Sequence, residues 1–155
     1  MSEVSISKAL NLKNKLAGRL AHVANLIASH NSHVEGTKQH FDVKELLKEY
    51  TDKSARIAAV KAAIAKGNAD AGVFPLIYEM AELKSRISYL RAVNTREGAE
   101  EYSGGYNQPN KTRNWVVSYD QSSIEKMVQE AEDRLEELQD KITYLNQMTK
   151  VSIPD

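Results

Sequence analysis

The run Ser122–Leu145, SSIEKMVQEAEDRLEELQDKITYL, decides the fold class. Ile124, Val128, Ala131, Leu135, Leu138, Ile142 and Leu145 follow one another in alternate steps of four and three. That spacing puts all seven on one side of an α-helix. A seam of this kind is made to lie against another helix, as in a coiled coil. Upstream, Leu76, Met80, Leu83, Ile87 and Leu90 take the same steps, so the chain offers two matching seams and reads as mainly α.

Two further helices are expected nearer the N-terminus. Ile6, Ala9, Leu16, Leu20, Val23 and Ile27 predict one from about Ser5 to Ser29. Val43, Leu47, Tyr50, Ile57 and Ile64 predict the next, beginning after Asp42, which with Glu45 has the spacing of a capping box. Gly67 reads as the stop of that helix. Pro75 suits the first turn of the third helix, where a missing N–H costs nothing, and that helix is expected to end near Thr95–Gly98. Asp120 or Ser122 is placed to cap the fourth, Ser122 with Glu125 again matching a capping box. Pro154 closes a short tail. The expected architecture is an antiparallel helical bundle or coiled coil of four helices, one helical domain over residues 1–155.

Composition narrows the function classes. Lys and Arg together number 21, as do Asp and Glu, so no net field draws the chain to a phosphate backbone and no non-specific nucleic-acid binding is expected. The absence of cysteine removes disulfides and thiolate chemistry and fits a reducing cytoplasm, that of the host if the chain is phage-encoded. No apolar run is long enough for a membrane span, and the N-terminus lacks the apolar core of a signal peptide. The helix over Ser5–Ser29 is mildly basic, with Lys8, Lys15 and Arg19, whereas the last helix is acidic.

The stretch Gly98–Tyr119, GAEEYSGGYNQPNKTRNWVVSY, breaks the helical periodicity between the third and fourth helices. Structureless loops of this length are uncommon inside a domain unless they are functional or disordered. Ser103, Gly104 and Gly105 between Tyr102 and Tyr106 are turn formers, and Thr112–Tyr119 is strand-like in composition. A small β-hairpin or folded loop, projecting as an arm, is expected. Tyr102, Tyr106, Lys111, Arg113, Trp115 and Tyr119 form its candidate binding set. The rings offer faces to a planar group or a partner chain, and the two cations can pair with an anion.

Other constellations are weaker. His30, His33 and Glu35 are residue types that ligate metals, but no fixed helical His–Glu motif accompanies them and they read as a solvated turn. Glu79 and Glu82, three apart, have the spacing of an acid/base or metal pair, yet Glu82 also stands four before Arg86, the spacing of a surface ion pair. No Gly-rich phosphate loop, nucleophile elbow or cysteine nucleophile is present in the sequence. No catalytic residue, metal site or cofactor is therefore assigned, and the chain reads as a non-enzyme.

Ile77–Leu90, IYEMAELKSRISYL, the aromatic loop after it, the final EELQDKITYLNQMT and the Val34-Glu35-Gly36 turn together resemble a family of short bacterial and phage helical proteins of unassigned activity, some labelled septicolysin-like. The resemblance spans most of the chain and implies a helical, oligomeric protein, with no catalytic residue to carry over. The septicolysin label implies membrane activity. Three functions are thus expected in order. The first is a homo-oligomeric helical-bundle protein acting through protein–protein contacts at Gly98–Tyr119. The second is a phage-type binder that sequesters a nucleotide-like small molecule at subunit interfaces, and the third is a septicolysin-like membrane-active protein.

Overall fold

The computed structural model describes residues 2–154. Among them are four helices and two pairs of antiparallel strands, in the order β1 (Ser2–Ser5), α1 (Ile6–His30), α2 (Val43–Asp70), α3 (Val73–Arg91), β2 (Gly98–Tyr102), β3 (Lys111–Trp115), α4 (Gln121–Met148) and β4 (Lys150–Ile153). The mainly helical class, the four helices and a hairpin between the third and fourth of them follow the sequence expectation. Residues 2–74 with 141–154 form one compact unit and 75–140 a second.

In the first unit, α1 and α2 run antiparallel. Ile6 at the start of α1 lies beside Gly67 near the end of α2, while Arg19 and Val23 share a groove with Glu49 and Lys53. Their shared core holds Ile6, Ala9 and Leu16 from α1, Ile57, Val60 and Ile64 from α2, and Val151 and Ile153 from β4. The α1 stripe is buried as its spacing predicts, with Leu20 and Ile27 partly covered. The first half of the α2 stripe departs from expectation: Leu47 is 55% exposed. The buried core shared with α1 and β4 takes its α2 residues, Ile57, Val60 and Ile64, from the second half of that helix.

The strand pair β1–β4 is a correction to the expected tail. Ser2 pairs with Ile153, Glu3 with Ser152, Val4 with Val151 and Ser5 with Lys150. Each strand has four residues, and nothing local in the sequence links two segments at opposite ends of the chain. Pairing turns Val151 and Ile153 into the core while Lys150 and Ser152 stay outside. Ser5 then ends the strand and caps α1, its Oγ accepting from Lys8 N at 3.3 Å. The Ile6 amide donates to Thr149 O at 3.0 Å.

Gly67 is not the stop of α2, which continues to Asp70. It is a buried point of close approach, where a Cβ would sit 2.4 Å from Val151 Cγ1 and 3.2 Å from Ile6 Cδ1. Helix propensity argues against glycine there; the room needed by β4 and α1 overrides it. The turn falls instead at Gly72, with φ +67°. Asp42 caps α2 as expected, its Oδ1 accepting from Lys44 N at 2.9 Å and Glu45 N at 3.4 Å.

In the second unit, α3 and α4 pack antiparallel around Ile87, Leu90, Ile124, Val128 and Ala131, flanked by Leu83, Val93, Met127 and Leu135. All of these but Val93 and Met127 belong to the two seams. Arg134 Nε donates to Glu79 Oε1 at 2.8 Å and Arg91 to Glu132 at 2.5 Å across the pair. α3 ends at Arg91, earlier than expected. After the last turn Asn94 Oδ1 takes the amide of Arg96 at 3.0 Å, a local bond that competes with helix. At the start of α4, Asp120 is the cap, accepting from Ser123 N at 2.8 Å, and Ser122 lies inside the helix. The Ser123 hydroxyl, and after it that amide, hold the Asp120 carboxyl below its ordinary pKa.

Candidate functional site

The hairpin occupies the connection between α3 and α4. Its strands pair Gly98 with Trp115, Ala99 with Asn114, Glu100 with Arg113, Glu101 with Thr112 and Tyr102 with Lys111. Because side chains alternate along a strand, Glu100, Tyr102, Lys111, Arg113 and Trp115 share one face. Ala99, Glu101, Thr112 and Asn114 share the other. The tip is shaped by Gly105 at φ +105° and Asn107 at φ +61°. Gly104 has no space for a side chain, since a Cβ would lie 2.2 Å from Pro109 O.

Glu100 organises the chemical face. Its Oε2 accepts from Arg113 Nε and from Trp115 Nε1, both at 2.6 Å, and its Oε1 accepts from Arg96. Arg113 Cζ lies 4.8 Å from the Trp115 ring centroid and 5.1 Å from that of Tyr102, while Arg96 Cζ lies 5.1 Å from Trp115. Two guanidinium groups therefore lie within cation–π range of one indole. The Arg113 hydrogen bond, then that of Trp115, lowers the Glu100 pKa to about 2. The same bond raises Arg113.

Four of the six expected site residues are thus on one face: Tyr102, Lys111, Arg113 and Trp115. Tyr106 stands apart at the tip, 98% exposed, and Tyr119 lies beyond β3, 57% exposed. The strand is Lys111–Trp115 where strand-like composition predicted Thr112–Tyr119, and Val116 is 82% exposed. Sequence reasoning missed Glu100 and Arg96. The available signal was period two: Glu100 and Tyr102 share a strand face, and a lone acid there is the natural partner of Arg113 across the ladder.

The other candidate residues are used locally. His30 Nδ1 is 2.9 Å from Leu26 O, and its ring meets Phe41 edge-on at 4.8 Å. His33 contacts Gln39. Glu79 is held by Arg134, and among the described residues Glu82 and Arg86, spaced as a surface pair, form no ion pair with each other. Among the described residues, no three His, Cys, Asp or Glu cluster in a way that could hold a metal ion, and no helix is long and apolar enough to cross a membrane.

Fold and site define the class: a mainly helical protein with a small strand pair joining its ends and a hairpin between α3 and α4 that carries an Arg–Glu–Trp cluster. The chain is similar to a crystal structure of a functionally unknown conserved protein from Corynebacterium diphtheriae, with a TM-score of 0.64 and 19% identity over 97% of this chain and 100% of that one. At that identity the likeness establishes a shared fold alone. No family model and no curated protein matches the chain.

Proposed function

We propose that the chain is a non-enzymatic, homo-oligomeric helical-bundle protein of the cytoplasm whose β2–β3 hairpin is its recognition surface for other protein chains. The observation that carries this reading is a two-stranded hairpin that is braced and still incomplete. An isolated hairpin is marginal in water, and this one is held by the Arg96–Glu100–Arg113–Trp115 cluster. Among the described residues its strands have no neighbour beyond each other, and their free edges are templates for pairing with another chain. Tyr106 at the tip and Val116 beside the base add exposed apolar surface. Light scattering of the full chain, compared with one in which residues 103–110 are replaced by Asn-Gly, tests it. A mass above one chain that falls on shortening the tip is expected; an unchanged monomer in both would sink the reading.

A second reading, an anionic planar ligand of nucleotide type bound where hairpins of neighbouring copies meet, is favoured by Arg96 and Arg113 lying against Trp115. Such an anion competes with Glu100 for the two guanidinium groups. Calorimetry against a nucleotide panel, with Arg113→Ala and Trp115→Ala as controls, tests this; heat that survives both substitutions, or no heat with any nucleotide, retires it.

A further inference from the structure

α1 has no acidic residue, and it sorts its cations by flank. Lys8, Lys15, Arg19 and His22 follow in steps of seven, four and three, so they lie along one side of the helix. On that side Lys15, Arg19 and His22 line a groove with Glu49 and Lys53 of α2.

On the other side, α1 and α2 enclose a second groove of about 490 Å³. Its walls are Ala17, Leu20, Ala21 and Ala24 of α1 with Tyr50 and Ile57 of α2. Ile57 is buried, and Leu20, Ala24 and Tyr50 are half-buried. Asn14, Lys13 and Lys61 complete the lining, and no acidic side chain belongs to it. The helices run antiparallel with Ile6 beside Gly67, so Lys13 and Lys61 stand together at one end, while Ala24 and Tyr50 form the other. Among the described residues neither lysine has an ion pair or a side-chain hydrogen bond.

The dimensions select the kind of occupant. From Lys13 to Ala24 the helix rises about 16 Å at 1.5 Å per residue. Spread over that length, the groove has a mean cross-section of about 30 Å². A helix about 10–12 Å across needs about 80–110 Å², so it cannot lie in the groove, whereas a single extended hydrocarbon chain can. Volume and lining are those of a small-molecule site, with apolar walls and a few polar groups that orient the ligand. Two unpaired ammonium groups with no acid beside them repel a cationic head and attract an anionic one. The opposite groove has more cations but lacks a matching apolar wall, and Lys53 there is already engaged by Glu49.

We propose that this groove binds a free, single-chain amphiphile of fatty-acid type. Its carboxylate sits at Lys13 and Lys61, and its alkyl chain runs past Leu20, Ala21 and Ile57 towards Tyr50. The site belongs to the first compact unit and does not rest on the reading of the hairpin.

Calorimetry of the full chain with sodium dodecanoate, kept below its micelle concentration at neutral pH, tests this. Saturable binding of one dodecanoate per chain is expected, about fivefold or more tighter than decanoate because two more methylenes are covered. Dodecyltrimethylammonium, with the same tail and the opposite head, is expected to bind at least about tenfold more weakly. Lys13→Ala/Lys61→Ala is expected to weaken dodecanoate by about tenfold. Lys15→Ala/Arg19→Ala, which removes the same charge from the other flank, is expected to leave it unchanged. Ala21→Trp, at an exposed position in the wall, is expected to block the groove, and circular dichroism checks that each variant keeps its helix content. No saturable binding, equal weakening by the two lysine and arginine pairs, or binding that survives Ala21→Trp overturns the proposal. So does self-association, or sedimentation with anionic phospholipid vesicles, that Ala21→Trp abolishes in a chain that takes up no dodecanoate, since the groove would then belong to a second copy or to a membrane surface.

Discussion

Trp115 Nε1 donates to Glu100 Oε2 at 2.6 Å, although the residue opposite Trp115 in the ladder is Gly98. The bond is diagonal, possible because Gly98 has no side chain to stand between them. It ties the two strands together at the same oxygen that Arg113 uses.

The first prediction concerns pH. The Glu100 carboxyl titrates at about 2 in the folded protein against 4.5 for an ordinary glutamate, chiefly through Arg113 and then Trp115. A depressed folded value means that the stabilisation is fully present above the ordinary value and is lost as pH falls through the folded one. Trp115 fluorescence is therefore expected to hold steady from neutral pH past 4.5 and to change only as pH approaches 2. Glu100→Gln is expected to show the altered emission already at pH 7. A wild-type midpoint at 4.5 would contradict the cluster.

The second concerns the close approach at Gly67. Alanine is better in a helix by about 0.8–1 kcal/mol, but overpacking a filled core costs about 1–3 kcal/mol. With a Cβ at 2.4 Å from Val151 Cγ1, Gly67→Ala is expected to destabilise by about 1 kcal/mol in urea unfolding. Val151→Ala makes room, so the double variant should lose less than the sum of the singles. Simple additivity would show that the two sites do not meet.

The third concerns the join between β1 and α1. Ser5 is nearly buried and its hydroxyl caps the helix. Ser5→Ala is expected to cost about 1 kcal/mol, roughly 2–4 °C in Tm, and Ser5→Thr much less. Equal losses in thermal melts of the two variants would assign the effect to packing of the strand instead of the cap.

Much of the helical framework was legible because it is written in local periodicity. Ile124, Val128, Ala131, Ile87 and Leu90 are buried where steps of three and four place them, and Asp42 caps the helix it precedes. Helix ends were less so. Ser122 looks like a cap from spacing, but Asp120 reaches the amide of Ser123 first, and Asn94 ends α3 through a bond to Arg96 that spacing does not announce. In the site, the aromatic and basic residues of the hairpin were visible by composition. Glu100 was not, because its role depends on which residue lies across the ladder.

By itself, the sequence determined what repeats along the chain: four amphipathic helices, the interruption at Gly98–Tyr119 with turn-forming residues at its centre, and a balance of charge. These follow from contacts between residues close in number, which the period of the helix or strand sets. The tertiary structure alone decided the relations between distant residues. It paired Val4 with Val151 and packed Val151 over Gly67, so that a residue read as a helix stop became a buried point of contact. It also set Glu100 between Arg96, Arg113 and Trp115. Register and close packing fix such meetings, and neither has a period along the chain from which to read them.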